Sequence, residues 1–331
     1  MFDRAGSERE SQMRRLSYQE LWEREDAPEG SSWGLFGDNG TIARIGRENV
    51  KAGKECIRTG EALNLDYPLN AFQPPFLPAR SGLRHEFFSK HIDARDDIVN
   101  GFNTQSSSQI DGLRHRRDHD HGFYNGTLDS EVTERGGRLG IGNWAKNGIV
   151  SRGVLIDIAR ARAESGSPID HYHGEHLGKD DIQDALARQM QEISRGDIVL
   201  LHTGWANWYL NEIGDTDRKQ IRSSATFSGL DQSHEVTAWL WDSGAALIAS
   251  DTYAVEALPA SKTSPFQSVT DGGMMHQYLL ARLGLPLGEL WKLDELSARC
   301  AEDGNYDFLL TISPLYLAQA VASPANALAI R

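Results

Sequence analysis

Short apolar runs alternate along this chain with amphipathic stretches, and Gly- and Pro-rich gaps separate them. Residues 150–158, 196–203, 245–250 and 306–312 are rich in Val, Ile and Leu, and each predicts a buried strand. Residues 62–67 predict another strand, stopped by Pro68, and 323–330 a last extended piece around Pro324. Helical spacing predicts helices over 46–59, 180–193, 233–241 and 274–283, the third capped by Ser233, and a shorter one over 16–22. Residues 290–296 read as a short apolar run, and 264–270 as a loop. Residues 96–98 lead into the polar stretch that starts near 103. Strands and helices alternate, but the gaps argue for a mixed α/β domain over a regular doubly wound sheet. No repeat is visible, and no composition shift follows residue 60. The expected division is an N-terminal arm over 1–60, packed on the core, and one domain over 61–331.

Composition narrows the class. Of 331 residues, 39% are hydrophobic and 24% charged, as in a soluble globular protein. The formal net charge of −13 argues against nucleic acid as a partner and against an anionic membrane surface. No run of about 18 apolar residues occurs, and residues 1–15 are charged, without the apolar core of a signal peptide. Cys56 and Cys300 have no CxxC spacing, so they read as reduced thiols. A cytoplasmic protein is expected.

The chemistry concentrates in residues 103–127. Gln105, Gln109, Asp111 and His115 share one parity, so extended backbone points them to one face. A straight strand would still spread 105 to 115 over ~33 Å. The segment must therefore bend, and Ser106–Ser108 and Gly112 are residue types that permit it. Two amides, a carboxylate and an imidazole could then converge.

This stretch resembles the signature of the cyclase family, to which kynurenine formamidase, isatin hydrolase and trans-dienelactone hydrolase belong. That signature is His-x-Gly-Thr-His-x-Asp-x-Pro-x-His. Aligned on Asp111, its last His matches His115, while its two leading His fall on Gln105 and Gln109. Gly-Thr falls on Ser107-Ser108 and Pro on Leu113. Later phrases resemble the family in order: 148–157, 196–205, 246–252, then His276 with Gly284 and Glu289. The resemblance implies a mixed α/β domain of the swivelling β/β/α type over 61–331, with an N-terminal extension. It implies a homodimer or higher homo-oligomer that hydrolyses a C–N or C–O bond of a small cyclic amide, imide or lactone. By that resemblance His115 is the catalytic acid/base, and Asp111 a metal ligand or the orienter of His115. His276 and Glu289 complete a second metal position. An amide oxygen suits Mn²⁺, Mg²⁺ or Ca²⁺ better than Zn²⁺. Gln105 and Gln109 thus leave two readings open: a weak oxygen-rich metal site, or no metal and amides that hydrogen-bond substrate carbonyls. A metal-independent lyase or cyclase, and a non-catalytic small-molecule binder, are the alternatives to a hydrolase.

Tyr124 and Trp205 are candidate substrate-contacting aromatics. His171, His173 and His176 have spacing that could ligate a metal, but the stretch lacks strand residues and reads as a polar loop before a helix. The Gly37–Gly40 stretch has no following Lys-Ser/Thr and reads as a turn, not a phosphate loop.

Overall fold

A computed structural model describes residues 15–268 and 272–331. Residues 1–14 of the charged segment read above, and 269–270 of the expected loop, lie outside the described residues. The strands, in chain order, are β1 (Ala62–Asn64), β2 (Arg84–His91), β3 (Ala94–Asn100), β4 (Gln109–Asp111), β5 (Ile149–Asp157), β6 (His176–Leu177), β7 (Ile198–His202), β8 (Gly229–Leu230), β9 (Leu247–Ser250), β10 (Leu287–Glu289), β11 (Asp307–Ile312), β12 (Ala322–Pro324) and β13 (Ala327–Ile330). Among the described residues, nine of them form one mixed sheet in the order β1-β13-β11-β5-β7-β9-β10-β4-β12. The central β5, β7, β9 and β10 run parallel, and the pairs on either side are antiparallel.

The apolar runs at 198–202 and 247–250 become strands buried along their whole length, as a sheet covered on both faces requires. The helix Ile158–Glu164 packs against the helix Lys179–Gln189 and against β7. The helix Arg47–Glu55 lies on β5 and β11 through Gly53, where a Cβ would stand 2.8 Å from Leu309 Cδ1 and 3.0 Å from the Ser151 carbonyl. Ser233 caps the helix His234–Asp242 as expected, its side chain accepting from the Val236 N–H. Tyr18, Leu21, Leu35 and Phe36 from the early chain share the main core with Leu155, Leu200 and Ile248. A second cluster gathers Phe72, Phe76, Trp205, Tyr209 and Phe227.

Several elements differ from expectation. The strand expected over 62–67 ends at Asn64, because the Asp66 carboxylate turns to accept the Asn326 and Ala327 N–H groups at 3.1 and 2.7 Å. Residues 96–98 belong to β3, which pairs with β2 in a separate, largely exposed hairpin. The helix expected over 274–283 narrows to a π-helical turn, Tyr278–Arg282. The run 290–296 conceals the start of the helix Asp294–Asp303. That helix and Asp215–Ser224 are polar enough to mask their period: the first buries Leu296, Ser297 and Cys300, the second only Ile221. The Gly37–Gly40 turn opens a 3-10 segment, Gly37–Arg44, in which Gly40 has φ 58°. A Cβ there would fall 2.2 Å from the Gly284 carbonyl.

The carboxyl ends of β5 and β7 bring Asp157 and His202 together. His202 Nδ1 lies 2.8 Å from Asp157 Oδ1, and its Nε2 lies 3.3 Å from Asp294 Oδ1. Burial by itself would lower the His202 pKa, but hydrogen bonds to Asp157 and Asp294 outweigh it and hold the imidazolium well above the ordinary value. Burial would raise the Asp157 pKa, yet the bonds from His202 and Ser297 hold its carboxyl below the usual range. A histidine with a raised folded-state pKa contributes stability in full below its unfolded pKa of about 6.5, and loses it as pH rises toward the folded value. The unfolding free energy is therefore predicted to fall as pH rises above about 6.5. His202→Leu should cost about 3–5 kcal/mol near pH 6, because it strands a buried carboxylate. It should also flatten that pH dependence. Urea unfolding at slightly acidic and at alkaline pH tests this, and an undiminished slope in the variant would contradict it.

Candidate functional site

Strand register builds the site. β10 pairs with β4 so that Glu289 faces Gln109 and Leu287 faces Asp111. The two-residue period then puts Gln109, Asp111 and Glu289 on one face of the sheet. Three serines fasten the bend before β4. Ser107 Oγ donates to the Pro68 carbonyl at 3.0 Å, and Ser106 N–H to the Asn103 carbonyl at 3.2 Å. Ser108 Oγ donates to the Leu290 carbonyl at 2.5 Å and accepts from Tyr67 N–H at 2.8 Å. After β4, Gly112 passes so close to Val321 that a Cβ would lie 2.8 Å from its carbonyl oxygen. The chain then turns through a Gly112 carbonyl to His115 N–H bond of 2.9 Å.

The side chains form one buried network. Gln105 Nε2 donates to Asp111 Oδ1 at 2.8 Å and stands 3.1 Å from His115 Nδ1. Gln109 Nε2 donates to Glu289 Oε2. Glu289 Oε1 lies 2.9 Å from His276 Nε2, and Glu256 Oε1 lies 2.6 Å from His276 Nδ1. Glu256 also accepts the Met275 and His276 N–H groups at 2.7 and 3.0 Å and Gln232 Nε2 at 2.9 Å. His115 Nε2 and His276 Nε2 approach Asp111 Oδ2 at 3.5 and 3.8 Å. The two rings are 6.2 Å apart and nearly perpendicular.

Environment separates the two histidines. Burial lowers the His276 pKa, but its bonds to Glu256 and Glu289 prevail and push it up to about 10. Burial and the neighbouring Asp111 charge push Glu289 up to about 7, against the pull of His276. Burial takes His115 down to about 4 despite the Asp111 charge, so its imidazole is neutral near pH 7.

Two buried oxygens in this network, Asp111 Oδ2 and Gln109 Oε1, have no hydrogen-bond partner. Asp111, His276 and Glu289 each offer a ligand atom, all within 4.8 Å of one another. Two carboxylate oxygens and one imidazole nitrogen, with the neighbouring Gln109 amide as a further oxygen, fit a hard divalent cation such as Mn²⁺ or Mg²⁺ better than the imidazole-rich sets that suit zinc. Glu256 sits where it would orient His276 toward such an ion, in the carboxylate–histidine arrangement common beside metals.

The structure brings Gln105, Gln109, Asp111, His115, His276 and Glu289 together. The donor groups of both glutamines are turned on carboxylates of the network. Tyr124 and Trp205 go elsewhere, which corrects their expected role at an open pocket. Tyr124 is fully buried, its ring against Gly284 and its hydroxyl 3.2 Å from Ser32 Oγ. Only the absent side chain of Gly284 leaves room for that ring, since a Cβ would meet it at 2.5 Å. Trp205 is equally buried and stacks on Tyr209 at 5.0 Å, inside the second aromatic cluster. His171, His173 and His176 take separate partners, Ser228, Asp170 and Asp231, and do not converge.

Sequence reasoning passed over Glu256 and Arg80. The signal for Glu256 was a lone charge inside the apolar run Ala254-Val255-Glu256-Ala257-Leu258. Arg80, in a Pro-rich loop, donates to the Gln105 carbonyl and places a positive charge near His115 and Glu289. Nothing in its local sequence marks it.

Comparison with known proteins agrees with this architecture. The crystal structure of a novel cyclase superposes with a TM-score of 0.78 at 28% identity, covering 91% of this chain and 99% of that one. Isatin hydrolase A from Labrenzia aggregata, bound to benzyl benzoate, superposes at 0.55 with 15% identity, covering 85% and 97%. Isatin hydrolase A from Ralstonia solanacearum gives 0.53 with 17% identity, covering 85% and 95%. At such identities the two hydrolases share the fold. No curated protein sequence matches. The family model described as "Putative cyclase" matches residues 63–257, more than half of the chain. With that match over more than half of its length, the chain belongs to the cyclase family.

Proposed function

We propose that the protein is a hydrolase that opens a small cyclic amide, imide or lactone, with His115 as general acid/base. The observation that carries this reading is the neutral His115 imidazole beside Asp111, whose second carboxylate oxygen is buried and lacks a hydrogen-bond partner. A neutral imidazole can take a proton from an attacking water, and the Asp111 charge stabilises the imidazolium that results. His115 can then return that proton to the leaving nitrogen or oxygen. Gln105 positions both groups, since its amide nitrogen reaches Asp111 Oδ1 and His115 Nδ1. Gln109 steadies Glu289, and Glu256 steadies His276.

Asp111, Gln109, His276 and Glu289 would hold a divalent ion, with Mn²⁺ or Mg²⁺ suited to the donors. A bound ion would supply Lewis-acid polarisation of the substrate carbonyl. The second reading is a metal-independent lyase or cyclase. It is favoured by the way Gln105, Gln109 and His276 already pair the carboxylates among themselves. Activity that survives exhaustive chelation would select it over hydrolysis with metal assistance. The fitting substrate is a small molecule and the working assembly a homo-oligomer, which sedimentation of the purified protein would check.

His115→Ala is predicted to fold normally and to lose roughly 10²–10⁴-fold in kcat on whichever member of a panel of cyclic imides and lactones the protein accepts. An unchanged kcat would remove His115 from the reaction. The purified protein should carry no stoichiometric zinc, and elemental analysis that returned about one zinc per chain would refute the oxygen-rich reading. Gln105→His combined with Gln109→His should raise zinc affinity sharply, by replacing amide donors around Asp111 with imidazoles. The gain should disappear at low pH, where histidine is protonated. Calorimetry showing the same zinc affinity in parent and variant would mean that these positions cannot share an ion.

A further inference from the structure

The π-helical turn Tyr278–Arg282, which follows His276, shows one side to a cavity. This cavity, of about 500 Å³, lies between the early chain, the segment after His115, and the loop before His276. One wall is aromatic. Trp22 stacks on Tyr278 with centroids 6.3 Å apart and planes 16° apart, and the His234 ring meets Trp22 edge-on at 5.4 Å. Phe266 closes the wall, 5.0 Å from Tyr278 and 5.4 Å from His234. The polar tips of these rings are turned to the protein: Tyr278 Oη donates to the Gly30 carbonyl at 2.7 Å, and His234 Nδ1 lies 2.8 Å from Tyr18 Oη. Trp22, though an apolar residue, stays 36% exposed.

The opposite wall is charged, and its charges are unequally used. Arg282 is committed: its Nε donates to Asp118 Oδ2 at 2.7 Å, its Nη1 to the Glu29 carbonyl at 3.3 Å, and its Nη2 lies 3.2 Å from His121 Nδ1. Asp118 is thereby neutralised. Two exposed carboxylates remain on the rim. Asp120 approaches His119 at 4.0 Å and lies within 4.8 Å of Asp118 and His121, and the Glu29 side chain makes no ion pair among the described residues. Aromatic faces and spare negative charge meet in one concavity, while the lining cation is already occupied.

We infer that this cavity binds an organic monocation, a primary or quaternary ammonium carried on a flat apolar body. The apolar part lies against Trp22 and Phe266, and the ammonium sits between the Trp22 face and the Asp120 and Glu29 carboxylates. An anion is disfavoured because the lining arginine among the described residues, Arg282, is already paired with Asp118. The cavity is separate from the Asp111 network, toward which His276, just ahead of that turn, points.

The test is isothermal titration of the full chain with benzyltrimethylammonium, with benzyl alcohol as the neutral counterpart and benzoate as the anionic one. The cation should bind with one site per chain, and the other two should bind at least roughly tenfold more weakly. Trp22→Ala should weaken cation binding by roughly tenfold, and Glu29→Gln with Asp120→Asn should weaken it and reduce its sensitivity to salt. The carboxylate variants lie on the exposed rim and leave the core intact, so they decide the matter even where Trp22→Ala disturbs folding. Equal binding of the alcohol, absence of binding at millimolar cation, or binding that neither variant changes would overturn the inference. The last result would place the probe at another site, the Asp111 network included.

Discussion

Burying several carboxylates at one sheet edge is the constraint on which the site depends. An ionised carboxylate taken from water carries a penalty of several kcal/mol unless it is paired and hydrogen-bonded. Glu256, Glu289 and Asp111 are all buried within one network. His276 answers part of that demand by standing between two of them, and its two ring nitrogens lie 2.6 and 2.9 Å from Glu256 and Glu289. Gln105 and Gln109 answer another part with neutral N–H donors. The donors still fall short: one oxygen of Asp111 and one of Gln109 remain without a hydrogen bond. A protein keeps such a deficit where something else completes the set, and a cation or a substrate N–H both would.

The sheet explains why these groups meet. In a parallel sheet, groups at the carboxyl ends of neighbouring strands gather on one edge. β5, β7 and β9 deliver Asp157, His202 and Asp251 there, and these are spent mainly on holding the edge together: Asp157 and His202 pair, while Asp251 accepts from Thr203 and Gly204. Beyond β10 the direction reverses. β4 runs antiparallel to it and begins where β10 ends, so Gln109 stands opposite Glu289 at the same edge. The change of direction turns a structural edge into one that carries spare donors and acceptors. The helical turn with His276 then closes over it, anchored by Glu256.

Much of the fold could be read from hydrophobic pattern. The runs that became β7 and β9 are buried along their whole length because both of their faces are covered, β11 buries every second residue, and both signals are local. The hairpin of β2 and β3 was missed because its residues are exposed along their length, so burial imposed no alternation on them. The helices Asp215–Ser224 and Asp294–Asp303 were missed because each turns most of its surface to water. Tyr124 lies in the same stretch, 103–127, as Gln105 to His115, yet its ring is placed by Gly284, far along the chain. Trp205 follows the end of β7, but its surroundings come from Phe76 and Phe227.

By itself the sequence determined the mixed α/β class, the bend at the serines, and the donor types available at positions 105, 109, 111 and 115. These depend on residue identity and on spacings of a few residues, where backbone geometry leaves little freedom. It could not determine what each donor does. The amides of Gln105 and Gln109 read locally as equally able to hold a metal or a substrate, and the structure turns their N–H groups on Asp111 and Glu289. Arg80 and the aromatic cavity at Trp22 were invisible for the same reason, and Glu256 showed only as a lone charge in an apolar run. Their partners lie tens to hundreds of residues away, and only strand register, the packing of the early chain and the closing of one helical turn set those distances.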